Sequence, residues 1–213
     1  MTAPRFEVVA CGDDALRILC GAGDIRHALA EHLSTFSGWT EIVPGKLDLT
    51  VGFDPHAERL GDAQVRLGVA LQTLGATPPR GRRQHVLDAV FGGEAGPDLA
   101  ALAARLGKTE EQIIHTLEHQ TFRVDMLGFT PGFAYLTGLD SALVSERLAN
   151  PRARVAAGSI GLITGQVGLY ALEGPGGWPI VGRVLAPLFD RARTDPFLMA
   201  PGDEVVIRQA APP

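Results

Sequence analysis

Apolar and polar positions alternate with two different periods along the first third of the chain. Phe6–Ala10 and Ala15–Cys20 are short apolar runs split by Gly12-Asp13-Asp14, a turn signal, and predict a hairpin. Ile25, Leu29, Leu33 and Phe36 recur at helical spacing, so a helix is predicted from an Asp24 cap to Phe36, ended by Gly38. Trp39–Val43 reads as a strand and Pro44-Gly45 as a turn. Leu47, Leu49, Val51 and Phe53 then alternate strictly, the period of a half-buried strand. Asp54-Pro55 opens a second helix with Leu60, Ala63, Leu67, Leu71 and Leu74 inward and Gly75 after its end. The order strand, strand, helix, strand, strand, helix describes a small α+β sandwich with both helices on one face of an antiparallel sheet.

Thr77-Pro78-Pro79-Arg80-Gly81-Arg82-Arg83 interrupts this pattern with two prolines, a glycine and three arginines, a linker composition. It separates an N-terminal domain, residues 1–78, from a second domain, residues 84–213. Gln84–Phe91 predicts a strand and Gly92–Pro97 a loop. Asp98 can cap a helix with the stripe Leu99, Leu102, Ala103 and Leu106, ended by Gly107. Thr109-Glu110-Glu111-Gln112 is a capping box for a helix over Glu110–Gln120. Beyond it lie short apolar segments between Gly/Pro turns: Phe122–Leu127, Arg154–Ala156, Ser159–Ile163, Gly168–Leu172, Pro179–Val184 and Glu204–Arg208. Strands so closely spaced suggest a β-barrel or sandwich.

Composition narrows the class. With 213 residues and 46% hydrophobic content the chain can bury a core, and 20% charged residues argue against long disorder. A formal net charge of −5 argues against a nucleic-acid binder. No run approaches the ~18 apolar residues of a membrane span, and the first residues lack a secretory apolar core, so a cytoplasmic location is expected. Cys11 and Cys20 are too few for a disulfide framework or a thiolate zinc cage and read as two small apolar residues in a reducing cytosol.

Candidate chemistry concentrates after residue 127. In Gly128-Phe129-Thr130-Pro131-Gly132-Phe133-Ala134-Tyr135, glycine permits positive φ and proline fixes φ near −65°. Phe129, Phe133 and Tyr135 either wall a pocket for a flat or apolar group or form a rigid aromatic turn in the core. Arg152 and Arg154, at i and i+2 on an extended segment, point the same way and can jointly hold a carboxylate or phosphate. Ser159, beside Gly158, is outside a G-x-S-x-G elbow and reads first as a serine satisfying a turn. Gly174-Pro175-Gly176-Gly177-Trp178 is a rigid loop with an indole; no lysine follows, so it is not a Walker-type phosphate loop, and it can serve as a lid, a wall or a plain connection. Arg183 stands on the next strand. His115-Thr116-Leu117-Glu118-His119 matches the inverted zinc-hydrolase pattern H-x-x-E-H, whose i, i+4 imidazoles share a helix face. No third ligand follows from the sequence beyond the guesses Glu173 and Glu204, so surface histidines on an amphipathic helix are the plainer reading and no metal site is assigned.

Leu-Gly-Phe-Thr-Pro-Gly-Phe-Ala-Tyr-Leu at 127–136, Asn-Pro-Arg-Ala-Arg-Val at 150–155, Ala-Gly-Ser-Ile-Gly at 157–161, Gly-Pro-Gly-Gly-Trp at 174–178, Val-Gly-Arg at 181–183 and Pro-Gly-Asp at 201–203 occur in a set order. With them the chain resembles the family of the 5-oxoprolinase B subunit, also described as allophanate hydrolase subunit 1 or KipI-like. Gly12-Asp13-Asp14-Ala15 and Pro97-Asp98-Leu99 extend the similarity over almost the whole chain. The resemblance implies a small N-terminal α+β domain and a cyclophilin-like β-barrel, and a partner resembling the 5-oxoprolinase C subunit, or allophanate hydrolase subunit 2. A third chain, resembling the A subunit, joins them in the assembly that opens 5-oxoproline to glutamate with ATP. The same modules serve as a carboxyltransferase in urea carboxylase, with biotin on another chain, and one branch inhibits a histidine kinase. No ATP motif is visible, and Lys46 and Lys108, the only lysines, lack the Met-Lys context of a biotinylation site.

Under this resemblance the catalytic candidates are Arg152, Arg154 and Arg183, as charge stabilisers. The substrate-binding candidates are Gly128, Phe129, Pro131, Gly132, Phe133, Tyr135, Gly158, Ser159, Gln166, Tyr170, Gly176, Gly177 and Trp178. The chain departs from the family pattern at Ala156 and Ala171, where proline is usual, at Val167 and Val184, where threonine is usual, and at Leu117, where a histidine is usual. Lost polar groups at a presumed pocket would alter substrate hydrogen bonds by on the order of 1 kcal/mol or more each.

Overall fold

The structure, a computed structural model, describes residues 6–21, 23–74 and 82–210. The linker segment 77–81 and the expected helix stop at Gly75 lie outside these residues. The chain divides into two compact units, Met1–Gly81 and Arg82–Pro213.

In the first unit the hairpin β1 (Glu7–Cys11) and β2 (Ala15–Leu19) leads into α1 (Asp24–Ser34), then β3 (Glu41–Pro44), β4 (Asp48–Gly52) and α2 (Leu60–Gln72). The sheet order is β1-β2-β4-β3, all antiparallel. Register puts Leu16 and Ile18 opposite Val51 and Leu49, and this face packs on Leu29, Leu33, Ala63, Leu67 and Ala70. Three expectations need correction. The N-cap of α1 is Gly23, and Asp24 is the first residue of the helix itself. α1 does not turn Ile25 inward: Ile25 is exposed and its neighbour Arg26 is fully buried, donating to the carbonyls of Gly45 and Lys46. Bonds to a distant loop thus override the apolar spacing at the first turn, while Leu29 and Leu33 face the core as the spacing predicts. α2 starts at Leu60 because Asp54 folds Asp54–Glu58 into a turn, accepting the His56 N–H on its carboxylate and the Ala57 N–H on its carbonyl.

The second unit runs β5 (Gln84–Phe91), α3 (Leu99–Leu106), α4 (Glu110–Glu118), β6 (Thr121–Leu127), β7 (Ala134–Thr137), β8 (Arg152–Val155), β9 (Ser159–Ile163), β10 (Gln166–Leu169), β11 (Gly174–Gly176), β12 (Ile180–Val184) and β13 (Glu204–Gln209). Among the described residues seven strands close a barrel in the order β10-β7-β6-β13-β5-β12-β9, while β8 and β11 form a separate two-stranded ribbon. The fold class is therefore α+β with a closed barrel, as read from the sequence. One face of each strand fills the interior: Val124 on β6, Leu136 on β7, Ile160 and Leu162 on β9, Val167 and Leu169 on β10, Val205 and Ile207 on β13. Leu99, Leu102, Ile113 and Leu117 from α3 and α4 join the same core. The capping box forms as predicted, with Gln112 N–H donating to the Thr109 hydroxyl and Thr109 N–H to the Gln112 side chain.

Candidate functional site

Loop 92–98 is clamped against the start of β12. Gly92 N–H donates to the Val181 carbonyl at 3.1 Å, Asp98 N–H to the Ile180 carbonyl at 2.9 Å, and Ile180 N–H to the Asp98 carboxylate at 2.7 Å. A Cβ at Gly96 would run into the Val181 carbonyl, so only glycine lets the loop approach so closely. Asp98 stands at the N-cap position of α3 but makes no side-chain cap bond. Its carboxylate is instead claimed by Arg152, which donates from both Nη atoms at 2.7 and 2.8 Å. That bidentate hydrogen bond raises the Arg152 pKa, with burial opposing it. The clamp thereby ties ribbon β8–β11 to the barrel.

Between loop and ribbon opens a cleft of about 310 Å³. Glu94, Ala95 and Pro97 form one wall; Arg152, Arg154, Val155, Ala156 and Glu173 form another; Ser159, Ile180 and Arg183 form the floor. All three predicted arginines therefore meet there, together with Ser159, but in different states. Arg152 is committed to Asp98. Arg154 is exposed and pairs with Glu173 at 2.8 Å. Arg183 has no ion-pair or hydrogen-bond partner among the described residues, and its Nε is buried. In the ladder between β9 and β12, Ser159 lies directly opposite Arg183, which sets the two side chains next to each other on one face. Gly158, at φ +83°, seats the arginine stem: a Cβ there would stand 3.0 Å from the Arg183 Cγ and 2.6 Å from the Val184 carbonyl.

The predicted aromatics gather elsewhere on the barrel wall. Phe133 has ring centroids 4.7 Å from Tyr135, 4.9 Å from Tyr170 and 6.1 Å from Trp178. Phe133, Tyr170 and Trp178 are only 2–3% exposed, and none of the four lines the arginine cleft. They form a packed cluster on glycine seats. Tyr135, Gly168 and Gly161 stand in one cross-strand row, and a Cβ at Gly168 would lie 2.7 Å from the Trp178 ring and 2.9 Å from Phe133. Gly176 abuts the Tyr170 hydroxyl and Gly177 lies against Pro151. Burial pushes the Tyr170 pKa up, against a hydrogen bond with the Trp178 backbone and the charge of Arg147. The Arg147 guanidinium sits 5.8 Å from the Trp178 ring.

Phe129 crowns this cluster, 5.5 Å from Phe133, yet is 61% exposed. Its φ of 71° is unique among described non-glycine residues, and Thr130 N–H closes the turn onto the Gly128 carbonyl at 3.0 Å. Pro131 is exposed, Gly132 packs between Ala171 and Phe189, and Gln166 is half-buried on β10.

Four of the five departures from the family pattern face the protein interior. Leu117, Val167, Ala171 and Val184 all belong to the barrel core; helix and strand periodicity turns Leu117, Val167 and Val184 inward, and Ala171 follows the end of β10. Only Ala156 lines the cleft, which corrects the expectation that the lost groups cluster at the pocket. The imidazoles of His115 and His119 stack at 3.8 Å, and His119 Nδ1–H donates to the His115 carbonyl at 2.8 Å. Glu118 is occupied by the Gln209 N–H at 2.7 Å. Among the described residues no group of three or more His, Cys, Asp or Glu side chains can hold a metal ion, and no helix is long and apolar enough to cross a membrane. Sequence reading missed Asp98 and the Glu94–Pro97 wall as parts of a site. The glycine spacing Gly92-Gly93…Gly96-Pro97 was the available signal.

The chain resembles known proteins in sequence and in fold. The chain is 38% identical over 177 residues to the 5-oxoprolinase B subunit of Escherichia coli O157:H7, covering 83% of this chain and 81% of that protein. It is 30% identical over 223 residues to the 5-oxoprolinase B subunit of Bacillus subtilis, covering 94% and 91%. Among solved structures, TTHA0988 superposes with a TM-score of 0.80 at 33% identity, over 93% of this chain but 40% of that longer one. The Kluyveromyces lactis urea carboxylase shares the fold, at a TM-score of 0.74 and 16% identity, over 98% of this chain and 22% of that one. The sequence profile of one domain family spans residues 6–199, and with relatives of this identity over most of its length the chain belongs to the family of the carboxyltransferase domain, subdomain C and D.

Proposed function

We propose that this protein is one component of an ATP-dependent 5-oxoprolinase-type complex that opens 5-oxoproline, or a related lactam or amide, working in the cytoplasm with partners resembling the C and A subunits of 5-oxoprolinase. The observation that carries this reading is the identity to the 5-oxoprolinase B subunit of Escherichia coli across four-fifths of that protein. Ring opening breaks the amide C–N bond, with water supplying hydroxyl to the carbonyl carbon and hydrogen to nitrogen, and yields glutamate. An unstrained amide resists this step, so charge stabilisation in a dry site must help it. On this chain the cleft around Arg183 and Ser159 supports the reading as a place to hold the small molecule: it offers an uncommitted cation and a hydroxyl within a volume suited to one.

The glycine-rich loop after β10 does not fit ATP. Within the glycine-rich stretch Gly174–Gly177, the space beside Gly176 is filled by the Tyr170 ring and Gly177 lies against Pro151, and no lysine follows, so this is not a Walker-type phosphate loop. In this reading ATP handling falls to a partner chain or to a site on this chain without a recognised motif. A second reading, a carboxyltransferase component that takes carboxyl from biotin on another chain, draws on the family description and the urea carboxylase fold. The test is reconstitution with the two partner chains. Glutamate release coupled to ADP formation, lost when this chain is omitted, is expected. No release from any candidate lactam, or carboxyl transfer instead, contradicts the proposal.

A further inference from the structure

The three arginines of the cleft differ in what remains of their charge. Asp98 neutralises Arg152 through two hydrogen bonds, and Glu173 neutralises Arg154. Arg183 is left uncompensated among the described residues, with its Nε buried and unpartnered there. A buried donor left without an acceptor costs stability, so a protein that keeps one has a use for it or fills it with a ligand. The Ser159 hydroxyl next to it is in a similar condition: the residue is 2% exposed, the hydroxyl has no hydrogen-bond partner among the described residues, and it lines the cleft. The pair is held rigidly. Cross-strand register sets Ser159 beside Arg183, and Gly158 packs against the arginine stem.

We infer that the Arg183 guanidinium and the Ser159 hydroxyl together form a receptor for the carboxylate of a small organic acid, so that the cleft selects carboxylate-bearing ligands over neutral amides. A guanidinium and a hydroxyl offer convergent N–H and O–H donors, the complement of a carboxylate. Charge balance favours a monoanion over a phosphate dianion. Among the described residues, Arg183 is the one uncompensated cation of the cleft; it shares the cleft with the exposed carboxylate of Glu94, so a second negative charge on the ligand would have no partner there. This deepens the lactam reading and rests on it only for the choice of 5-oxoproline as probe, since that lactam carries a carboxylate and urea does not.

The test is calorimetric titration of the full chain with 5-oxoproline, with 2-pyrrolidinone (the same ring without the carboxylate), with acetate and with inorganic phosphate. Saturable binding of 5-oxoproline is expected, at least tenfold tighter than 2-pyrrolidinone. Arg183→Met should weaken it by tenfold or more and Ser159→Ala by several-fold, while Arg183→Lys retains part of the affinity. Because Arg183 has no protein partner among the described residues, Arg183→Met should melt within about 2 °C of the parent, a readout that a structural arginine would fail. Equal affinity for 2-pyrrolidinone, a preference for phosphate, unchanged binding by Arg183→Met, or no saturable binding of any acid overturns the inference. Binding of acetate but not 5-oxoproline, abolished in Arg183→Met, upholds the receptor and removes the lactam reading. Lactam opening by a reconstituted complex that is indifferent to Arg183→Met does the reverse.

Discussion

The aromatic cluster and the arginine cleft lie in the same unit, and in the sequence their residues interleave, yet they do opposite things with their polar and apolar groups. Phe133, Tyr170 and Trp178 are nearly free of solvent and sit on Gly161, Gly168 and Gly176, which leave no volume between ring and strand. Arg183 and Ser159 are as well held by backbone, but their donors meet nothing among the described residues. Side chains that satisfy one another spend their interaction energy on the fold; those held in place without a partner have it available for a ligand. The cluster is accordingly a support for strands β7, β9 and β10, and the cleft is the place where a ligand adds hydrogen bonds instead of displacing existing ones.

The contrast breaks first at the cluster. Trp178→Ala should destabilise the protein by about 3–5 kcal/mol, read from the urea midpoint, because it empties a closely packed site. A loss of ligand binding with full stability would move Trp178 into the binding machinery. Next comes Arg152→Met. It strands the Asp98 carboxylate, 16% exposed, without its bidentate partner and should cost about 1–2 kcal/mol, a cost that Arg183→Met should not show.

Asp203 sharpens the comparison as a buried charge that is fully satisfied. Burial works to raise its pKa, but a hydrogen bond from His85 at 2.9 Å and the N–H groups of Ala200 and Arg83 hold it below the usual aspartate range. A lowered folded-state pKa means that Asp203 contributes stability above the unfolded value of ~3.9, lost as the pH falls through the folded value. Melting temperature should fall more steeply below pH 4 in the parent than in Asp203→Asn, which starts lower at pH 7. Parallel curves would contradict this. The smallest effect belongs to Arg154→Ala: its side chain is 78% exposed, and thermal melting should show no change.

Sequence reading reached the features that local chemistry decides. The Thr109–Gln112 capping box and the αL glycine at Gly107 are set within a few residues, and they stand where the pattern put them. β5 and β9 were legible because apolar runs bounded by turn residues leave one choice. β7 and β11 were missed. Ala134–Thr137 reads as part of the turn motif that precedes it, and Gly174-Pro175-Gly176 has the composition of a loop but pairs with β8. Asp98 looked like a helix cap because its partner Arg152 is 54 residues away. The same distance hid the difference among the arginines. The i, i+2 spacing pairs Arg152 with Arg154 and the resemblance adds Arg183 as a candidate, but which of them keeps its charge depends on Asp98 and Glu173, contacts that no local spacing encodes.

The most direct test of the account is a crystal structure of the chain with bound 5-oxoproline. The account predicts the ligand carboxylate within hydrogen-bonding distance of the Arg183 guanidinium and the Ser159 Oγ, with the Phe133, Tyr170 and Trp178 rings undisturbed. A ligand seated among those rings, or one that displaces Asp98 from Arg152 while leaving Arg183 bare, would contradict it.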